Sequence, residues 1–385
     1  MIRTILFLVS FQLALSAKYN PEKRLIRWLM IDYDKRSRPV ANHSQPVTVK
    51  YGFKLSEIQG VDERNNKLEL FAWQSMQWRD EYLSWRPKNF DNISEITIPS
   101  KYVWQPDFIQ ENNAKDFYNK QYQEYFHVIV NHDGIVTAAP AGQLTTVCSF
   151  NLFYFPFDKH TCKVVISSWT YTCDEVDIKS NLTEIDLGFF KPNGEWTLEY
   201  TDVTNIETKT NRDYKYCSVY IHLTLKRKPL YYILVILLPC VILSLVSVFT
   251  FIIPPESSER IMMSMTSLLA FVLFLTALNN ILPRNSDQAP MLVSYITVIV
   301  IAMWIALIIS IFLVKVYFKD QPSKENIPDQ NGNRGLLSNF KSVGELVKEK
   351  KRDIADWMDI TLFWVFTIGL GVATIVIFVI IPPKD

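Results

Sequence analysis

Residues 147–162 read VCSFNLFYFPFDKHTC, and thirteen residues separate the two cysteines of this stretch, Cys148 and Cys162. The centre of the loop is an aromatic-proline-aromatic-acid segment, Phe155-Pro156-Phe157-Asp158. Short alternating segments surround this loop, whereas long uncharged runs occupy the chain beyond residue 229. The loop therefore belongs to the first of two regions that differ in physical character.

The uncharged runs beyond the loop cover residues 230–253, 261–283, 288–314 and 360–383. At about 1.5 Å rise per residue, a helix of such a length crosses a bilayer core of about 30 Å. The sequence therefore predicts four transmembrane α-helices.

Short segments of alternating polar and apolar residues, separated by turns, fill the region between Val47 and Leu225. They are clearest at residues 67–73, 126–130, 162–166 and 219–225. This pattern is typical of a β-sandwich. The predicted fold class is therefore an extracellular β-sandwich followed by four transmembrane α-helices.

Composition excludes several classes of function. The 385 residues include 40 basic and 39 acidic ones, a balance that argues against a nucleic-acid partner. Neither GxGxxG nor GxxxxGK occurs, and the five histidines show no metal-ligand spacing. We therefore expect no catalytic residue, no metal site and no cofactor, and the chain is predicted not to be an enzyme.

Three signals orient the chain in the membrane. Residues 1–17 have the basic start, apolar stretch and small final residues of a secretory signal peptide, with an uncleaved anchor as the alternative. The sequons at Asn42, Asn92 and Asn181 all precede the first span and predict glycosylation there. The connection 319–352 carries eight Lys/Arg against five acids, as a cytoplasmic loop does. Both termini are therefore expected outside the cell.

Several motifs identify a family resemblance. The cysteine pair around FPFD and the four spans are similar to those of the Cys-loop pentameric ligand-gated ion channels, and of the nicotinic acetylcholine receptors in particular. The other matching segments are Asp62-Glu63-Arg64-Asn65, Trp104-Gln105-Pro106-Asp107, Ser168-Trp169-Thr170-Tyr171, Lys226-Arg227-Lys228-Pro229-Leu230-Tyr231-Tyr232 and Leu238-Pro239-Cys240. The resemblance implies a Cys148–Cys162 disulfide and a pentameric channel subunit in the plasma membrane, postsynaptic or chemosensory in role.

The resemblance also implies a domain organisation. Residues 1–17 are the signal peptide and residues 18–229 the ligand-binding sandwich. Residues 230–317 hold the first three spans, of which the second lines the pore. Residues 318–356 form a cytoplasmic linker and an amphipathic helix, and residues 357–385 form the fourth span and an extracellular C-terminus.

One face of the second span is predicted to line the pore. It combines two leucine levels with hydroxyl and amide groups, which suit a pore wall better than a lipid surface: Met262, Thr266, Leu269, Leu273, Thr276 and Asn280. Rings of Glu256 and Glu259 would favour cations, although the two acids could instead complement a helix N-terminus. Leu269 and Leu273 would close the pore by dewetting, with ordinary packing as the alternative.

The resemblance implies an aromatic box for a cationic amine at the subunit interface. Trp169 would supply the principal face and Trp73 the opposing face. Tyr214, Tyr216 and Tyr220 lie in the segment of the pocket-capping loop, where packing on the strand surface is the alternative. Glu111 stands where the family has a box tyrosine, which leaves the agonist open. Three further tryptophans, Trp78, Trp85 and Trp104, are expected in the sandwich core.

Other residues are implied to couple ligand binding to the pore: Phe155, Pro156, Phe157, Asp158, Glu63, Arg227 and Pro283. Glu63 and Arg227 would form a partly buried ion pair, with two exposed charges as the alternative. A lone cysteine, Cys217, replaces the adjacent pair of the capping loop. We expect a disulfide between Cys173 and Cys217, with two unpaired thiols as the alternative.

Two functions are consistent with these features. The first is a ligand-gated cation channel subunit, and the second is a non-conducting accessory or assembly subunit that needs a partner. The expected partners are a small cationic amine, membrane lipid, and identical or related subunits in a pentamer, with no nucleic acid.

Overall fold

The computed structural model describes residues 20–115, 126–209, 214–254, 257, 259–278, 290–318 and 334–376. The predicted signal peptide and three predicted site residues, Glu256, Asn280 and Pro283, lie outside these ranges. The chain forms two compact units. The extracellular unit takes the described residues of Met1–Ser149 and His160–Lys226, and the membrane unit takes those of Phe150–Lys159 and Arg227–Asp385.

A short helix that the sequence analysis did not predict, α1 (Pro21–Leu29), precedes the sheets. Asn20 caps it by accepting a hydrogen bond from the backbone N of Lys23 at 3.1 Å. Pro21 occupies the first turn, where its missing N–H costs nothing. Leu25 and Leu29, four residues apart, are buried and attach the helix to the sandwich core.

The strands follow in chain order. They are β1 (Val47–Asp62), β2 (Lys67–Arg79), β3 (Glu95–Pro99), β4 (Phe108–Gln110), β5 (His127–Asn131), β6 (Ile135–Ala138), β7 (Ala141–Val147), β8 (Lys159–Ser168), β9 (Val176–Lys179), β10 (Trp196–Lys209) and β11 (Lys215–Arg227). Each of the four clearest predicted segments lies largely within a strand. The predicted β-sandwich is confirmed.

Two sheets make up the sandwich. One has the order β3-β5-β6-β2-β1-β9, with β7 also paired to β2, and the other has the order β10-β11-β8-β4. The long hairpin of β1 and β2 is antiparallel, whereas β1 and β9 are parallel. Alternate residues of β1 from Val47 to Leu55 are buried, because successive side chains of a strand point to opposite faces.

The three tryptophans expected in the sandwich core are there. Trp78, Trp85 and Trp104 are all buried, and the rings of Trp78 and Trp104 meet edge to face at 5.9 Å. The predicted core role is confirmed for all three.

A buried carboxylate lies beside this core. Asp80 accepts hydrogen bonds from the Tyr33 hydroxyl at 2.6 Å and from the backbone N of Tyr82 at 3.1 Å. Burial raises the pKa of Asp80 to about 6, although these hydrogen bonds oppose the rise. Gly134 packs on the Asp80 backbone with φ of +80°, and a Cβ there would lie 2.4 Å from the Asp80 carbonyl oxygen. The site therefore requires glycine.

The membrane unit contains the helices α2 (Leu230–Ile252), α3 (Glu259–Leu278), α4 (Met291–Phe318) and α5 (Arg334–Ile375). Each includes an apolar stretch long enough to cross a membrane, and the four predicted spans are confirmed. In α2, the π-helical residues Ile233–Leu237 lie in the turn that precedes Pro239, whose ring clashes with ordinary helical geometry there. The predicted amphipathic segment and the last span form one continuous helix, α5.

Candidate functional site

The predicted pore face of α3 is an exposed strip on the isolated chain. Its described members, all exposed, are Glu259, Met262, Thr266, Leu269, Leu273 and Thr276. The buried residues of the helix are Arg260, Ser264, Ser267, Phe271 and Leu278. Leu269 and Leu273 are 59% and 60% exposed. Packing within the subunit therefore does not explain why these two positions carry leucine.

The polar groups of the strip are arranged to present oxygen atoms. The hydroxyls of Thr266 and Thr276 donate to carbonyls of their own helix, at 3.0 and 2.7 Å, so their lone pairs remain available as acceptors. The start of the helix is capped by Ser257, whose hydroxyl accepts from the backbone N of Glu259 at 3.2 Å. The Glu259 carboxylate is exposed, and whether it serves the pore ring or complements the helix N-terminus stays a prediction.

Asp107 positions the loop that carries Trp169. Its carboxylate accepts from the Ser168 hydroxyl at 2.5 Å and from the backbone N of Thr170 at 2.8 Å. Trp169 lies between these two anchored residues and is 57% exposed. Sequence analysis included Asp107 only as part of a motif, because its role depends on a strand that is distant in sequence. The loop presents the indole to solvent instead of to the core.

A disulfide ties this loop to β11. Cys173 and Cys217 are bonded, with Cα atoms 5.2 Å apart, and the backbone N of Cys173 donates to the carbonyl of Lys215 at 2.8 Å. The Cys148–Cys162 bond, with Cα atoms 5.3 Å apart, closes the loop that contains FPFD. The Cys173–Cys217 bond fixes the base of the capping segment to the segment that follows Trp169.

Glu111 lies against the same strand. Its carboxylate accepts from the Ser218 hydroxyl at 3.4 Å, and its own backbone N donates to the carbonyl of Val165. On β11, Tyr216, Ser218 and Tyr220 share one face because they are two residues apart. The structure thus brings Glu111 to the strand face that carries two of the candidate tyrosines.

The three candidate tyrosines differ in their surroundings. Tyr214 is exposed, whereas Tyr216 and Tyr220 are half-buried. The Lys163 ammonium lies over the Tyr220 ring, 5.4 Å from its centroid. One ring face of Tyr220 is therefore already covered by a cation, which favours the packing alternative for this residue.

Trp73 lies in the other sheet. It belongs to β2, opposite Lys54 on β1 and Ala141 on β7, and is 43% exposed. Trp169, by contrast, directly follows β8 of the four-stranded sheet. The two tryptophans predicted for the aromatic box are therefore both exposed, and they lie on different sheets of the same chain.

The predicted coupling residue Arg227 is fully buried and forms a bidentate pair with Asp158. Its Nε donates at 2.8 Å and its Nη2 at 3.0 Å to the two carboxylate oxygens, and both side chains are 1% exposed. The guanidinium also faces the rings of Phe155 and Tyr232, at 5.0 and 5.3 Å. The alternative of an exposed Arg227 is therefore wrong, while the pairing with Glu63 stays a prediction.

The tip of the loop also contacts the third span. The carbonyl of Phe153 accepts a hydrogen bond from the backbone N of Met291, the first residue of α4, at 2.9 Å. A helix start leaves such N–H groups without an intrahelical partner, so the loop supplies one. Sequence analysis missed this contact, because backbone-to-backbone bonds leave no mark in residue identity.

The three glycosylation candidates, Asn42, Asn92 and Asn181, are all exposed. No group of three or more His, Cys, Asp or Glu residues suited to a metal ion occurs among the described residues.

Comparison with known proteins places these features in context. The protein-family model of the neurotransmitter-gated ion-channel ligand binding domain matches residues 22–229. The family model of the neurotransmitter-gated ion-channel transmembrane region matches residues 236–337. The chain is 31% identical over 322 residues to the neuronal acetylcholine receptor subunit eat-2 of Caenorhabditis elegans, covering 82% of this chain and 67% of that protein.

Two other relatives show the same level of similarity. The human neuronal acetylcholine receptor subunit alpha-4 is 30% identical over 314 residues, covering 80% of this chain and 49% of the relative. The acetylcholine receptor subunit alpha-type acr-16 of Caenorhabditis briggsae is 30% identical over 303 residues, covering 77% of this chain and 60% of the relative. The matched part thus spans about half to two thirds of these relatives.

Proposed function

The chain belongs to the neurotransmitter-gated ion-channel family, in its nicotinic receptor branch, and on that premise we propose that it forms a cation channel opened by a small cationic amine. A multi-pass protein of this family resides in the plasma membrane. Five identical or related subunits would surround the pore. Selectivity, agonist and subunit composition are the parts of this proposal that need experiment.

The exposed strip of α3 is the observation that carries the proposal. Its inner end bears the exposed Glu259, and a fivefold ring of carboxylates concentrates cations at a pore mouth. Outward threonine oxygens then offer acceptors along the wall, and Leu269 and Leu273 supply the hydrophobic levels at which a narrow pore dewets. The strip therefore combines a selectivity ring with a gate.

The principal face supports a cationic ligand. Trp169 offers an exposed indole, whose attraction for a cation is worth about 0.5 to 2 kcal/mol. Glu111 adds a carboxylate that the Ser218 hydroxyl orients. An amine that can donate a hydrogen bond would pair with that carboxylate, whereas a quaternary ammonium has no proton to donate. We therefore propose a primary, secondary or tertiary amine as the agonist.

Expression of the chain alone in oocytes tests the proposal. We expect a current evoked by one or more amines of a panel, with a reversal potential that follows sodium when external NaCl is diluted. Replacing both Glu259 and Glu256 by Ala should weaken that dependence. A surface-expressed chain that conducts only with a related subunit would instead identify an accessory subunit, and an unchanged reversal potential in the double variant would refute the charge ring.

Glu111→Gln tests the ligand class. It keeps the hydrogen-bonding shape but removes the charge, so it should raise the half-maximal amine concentration by about tenfold. Glu184→Gln, at an exposed acid elsewhere in the extracellular unit, is the matched control. Equal sensitivity of Glu111→Gln and wild type would remove the carboxylate from the pocket.

A further inference from the structure

A buried ion pair joins the pore helix to the last helix at the inner end of the pore strip. Arg260 on α3 donates from Nη1 at 2.8 Å and from Nη2 at 2.6 Å to the two carboxylate oxygens of Asp359 on α5. The Arg260 side chain is fully buried and that of Asp359 is 8% exposed. The two residues lie 99 positions apart, so sequence reasoning could not pair them.

Asp359 provides most of the hydrogen bonding available to this guanidinium. Nη1 also contacts the carbonyl of Ile253 at 3.3 Å, and the guanidinium faces the Phe251 ring at 5.7 Å. The Nε atom is buried without a hydrogen-bond partner among the described residues. Among the groups that the structure describes, a guanidinium that lost Asp359 would retain only the long bond to the Ile253 carbonyl, an unfavourable state for a buried charge.

The position of Arg260 makes this pairing important for the pore. Arg260 directly follows Glu259, and consecutive residues of a helix point about 100° apart. Glu259 is exposed on the predicted pore strip, whereas Arg260 is turned into the subunit. The two opposite charges would compensate each other if both reached the same water-filled mouth.

We propose that Asp359 is a positioning residue for ion selectivity, because it holds the positive charge of Arg260 away from the inner mouth at which Glu259 attracts cations. This inference rests on the proposed cation-channel function. Without its partner, the long Arg260 side chain extends toward the nearest water, as buried arginines at membrane interfaces do. A ring of five arginines then opposes the ring of five glutamates.

The test compares permeability ratios of sodium to chloride, obtained from reversal potentials under NaCl dilution. Asp359→Asn should lower the ratio by about tenfold, since it frees a positive charge beside every Glu259. The double variant Arg260→Gln with Asp359→Asn should restore it, because the freed charge is gone. Asp356→Asn removes an exposed acid one helical turn earlier on α5 and should leave the ratio unchanged.

Each outcome decides a separate point. A wild-type channel that is not cation-selective refutes the proposed function, whatever Asp359 does. A cation-selective wild type with an unaltered ratio in Asp359→Asn overturns this inference alone. A double variant that keeps the lowered ratio also overturns it, because Asp359 would then act through packing and not through Arg260.

Coexpression keeps the test decisive if Asp359→Asn alone does not reach the surface. Epitope-tagged Asp359→Asn chains that assemble with wild-type chains should give an intermediate ratio. A wild-type ratio in surface pentamers that contain the tagged chain would overturn the inference. Asp359→Glu retains the charge and should retain most of the selectivity.

Discussion

The buried pair of Asp158 and Arg227 provides the sharpest test of how the loop tip is held. Asp158→Asn removes one charge and leaves the Arg227 guanidinium without its bidentate carboxylate partner. Both side chains are 1% exposed, so water cannot replace the lost contact without rearrangement. We therefore expect a large loss of stability from a change of one atom.

The structure bounds the magnitude of that loss. Breaking a buried ion pair from one side costs about 3 to 5 kcal/mol. The rings of Phe155 and Tyr232 still face the guanidinium, and each such contact is worth about 0.5 to 2 kcal/mol. The Tyr232 hydroxyl also lies 3.3 Å from Nη1. We therefore expect the lower end, about 3 kcal/mol, which is roughly a hundredfold in an equilibrium constant.

Surface expression and the thermal midpoint of the detergent-solubilised full chain are the measurements. Asp158→Asn should lose most of its surface signal and melt earlier than wild type. The double variant Asp158→Asn with Arg227→Gln should recover part of both, because replacing both charges of a buried pair is often nearly neutral. Asp133→Asn, at an exposed acid, is the matched control.

Two results would refute the reasoning. A single variant that expresses and melts like wild type would show that the pair contributes little. A double variant as damaged as the sum of the two single variants would show no coupling between the residues.

Three further predictions concern the gate, a buried acid and the cap. Leu269→Thr should raise the spontaneous current, because a ring of polar side chains lets water enter the closed pore more easily. Leu268, which is half-buried on α3, provides the control, and Leu268→Thr should not raise the current. A Leu269→Thr channel with no spontaneous current and reduced agonist sensitivity would place the gate elsewhere. Burial raises the pKa of Asp80 to about 6, so the folded state favours the protonated carboxyl. Protonation of Asp80 therefore adds up to about 3 kcal/mol to the free energy of unfolding below the pKa of the unfolded chain, and this contribution is lost as pH rises through 6. The melting temperature of wild type relative to Asp80→Asn should therefore fall between pH 5 and pH 7, and a constant difference would contradict this. Mass spectrometry of nonreduced peptides should find Cys173 linked to Cys217, and separately alkylated cysteines would remove the tethered cap.

The sequence predicted features that depend on local pattern and missed those that depend on distant partners. Four spans follow from uninterrupted apolar runs, and the strands around residues 67–73 and 219–225 follow from alternation, because both patterns reflect which side of an element is buried. Trp78 and Trp104 could be assigned to the core because large aromatic side chains usually lie there. The first helix was missed because it is only nine residues long, although its Asn20-Pro21 start was a usable signal.

The contacts made by charged residues could not be predicted in this way. Arg227 was predicted to pair with Glu63, and that pairing stays a prediction, whereas its bidentate pairing with Asp158 was not foreseen. Asp359 had no assigned role, because an acid in the last span identifies its partner only once the helices are packed. A charge in an apolar stretch nevertheless signals a buried partner, since an unpaired charge would be too unfavourable there.

The two buried pairs follow the same physical principle. In each pair, the planar guanidinium of an arginine is held by two parallel hydrogen bonds to one carboxylate. Arg227 lies just before α2, and Arg260 directly follows Glu259 on α3. Lysine, a point charge with no such fork, could not be fixed in direction as firmly. Direction matters most at Arg260, because its neighbour Glu259 is exposed and carries the opposite charge. A selective pore built from adjacent opposite charges needs a third group that decides which of them faces the ions, and Asp359 is placed to be that group.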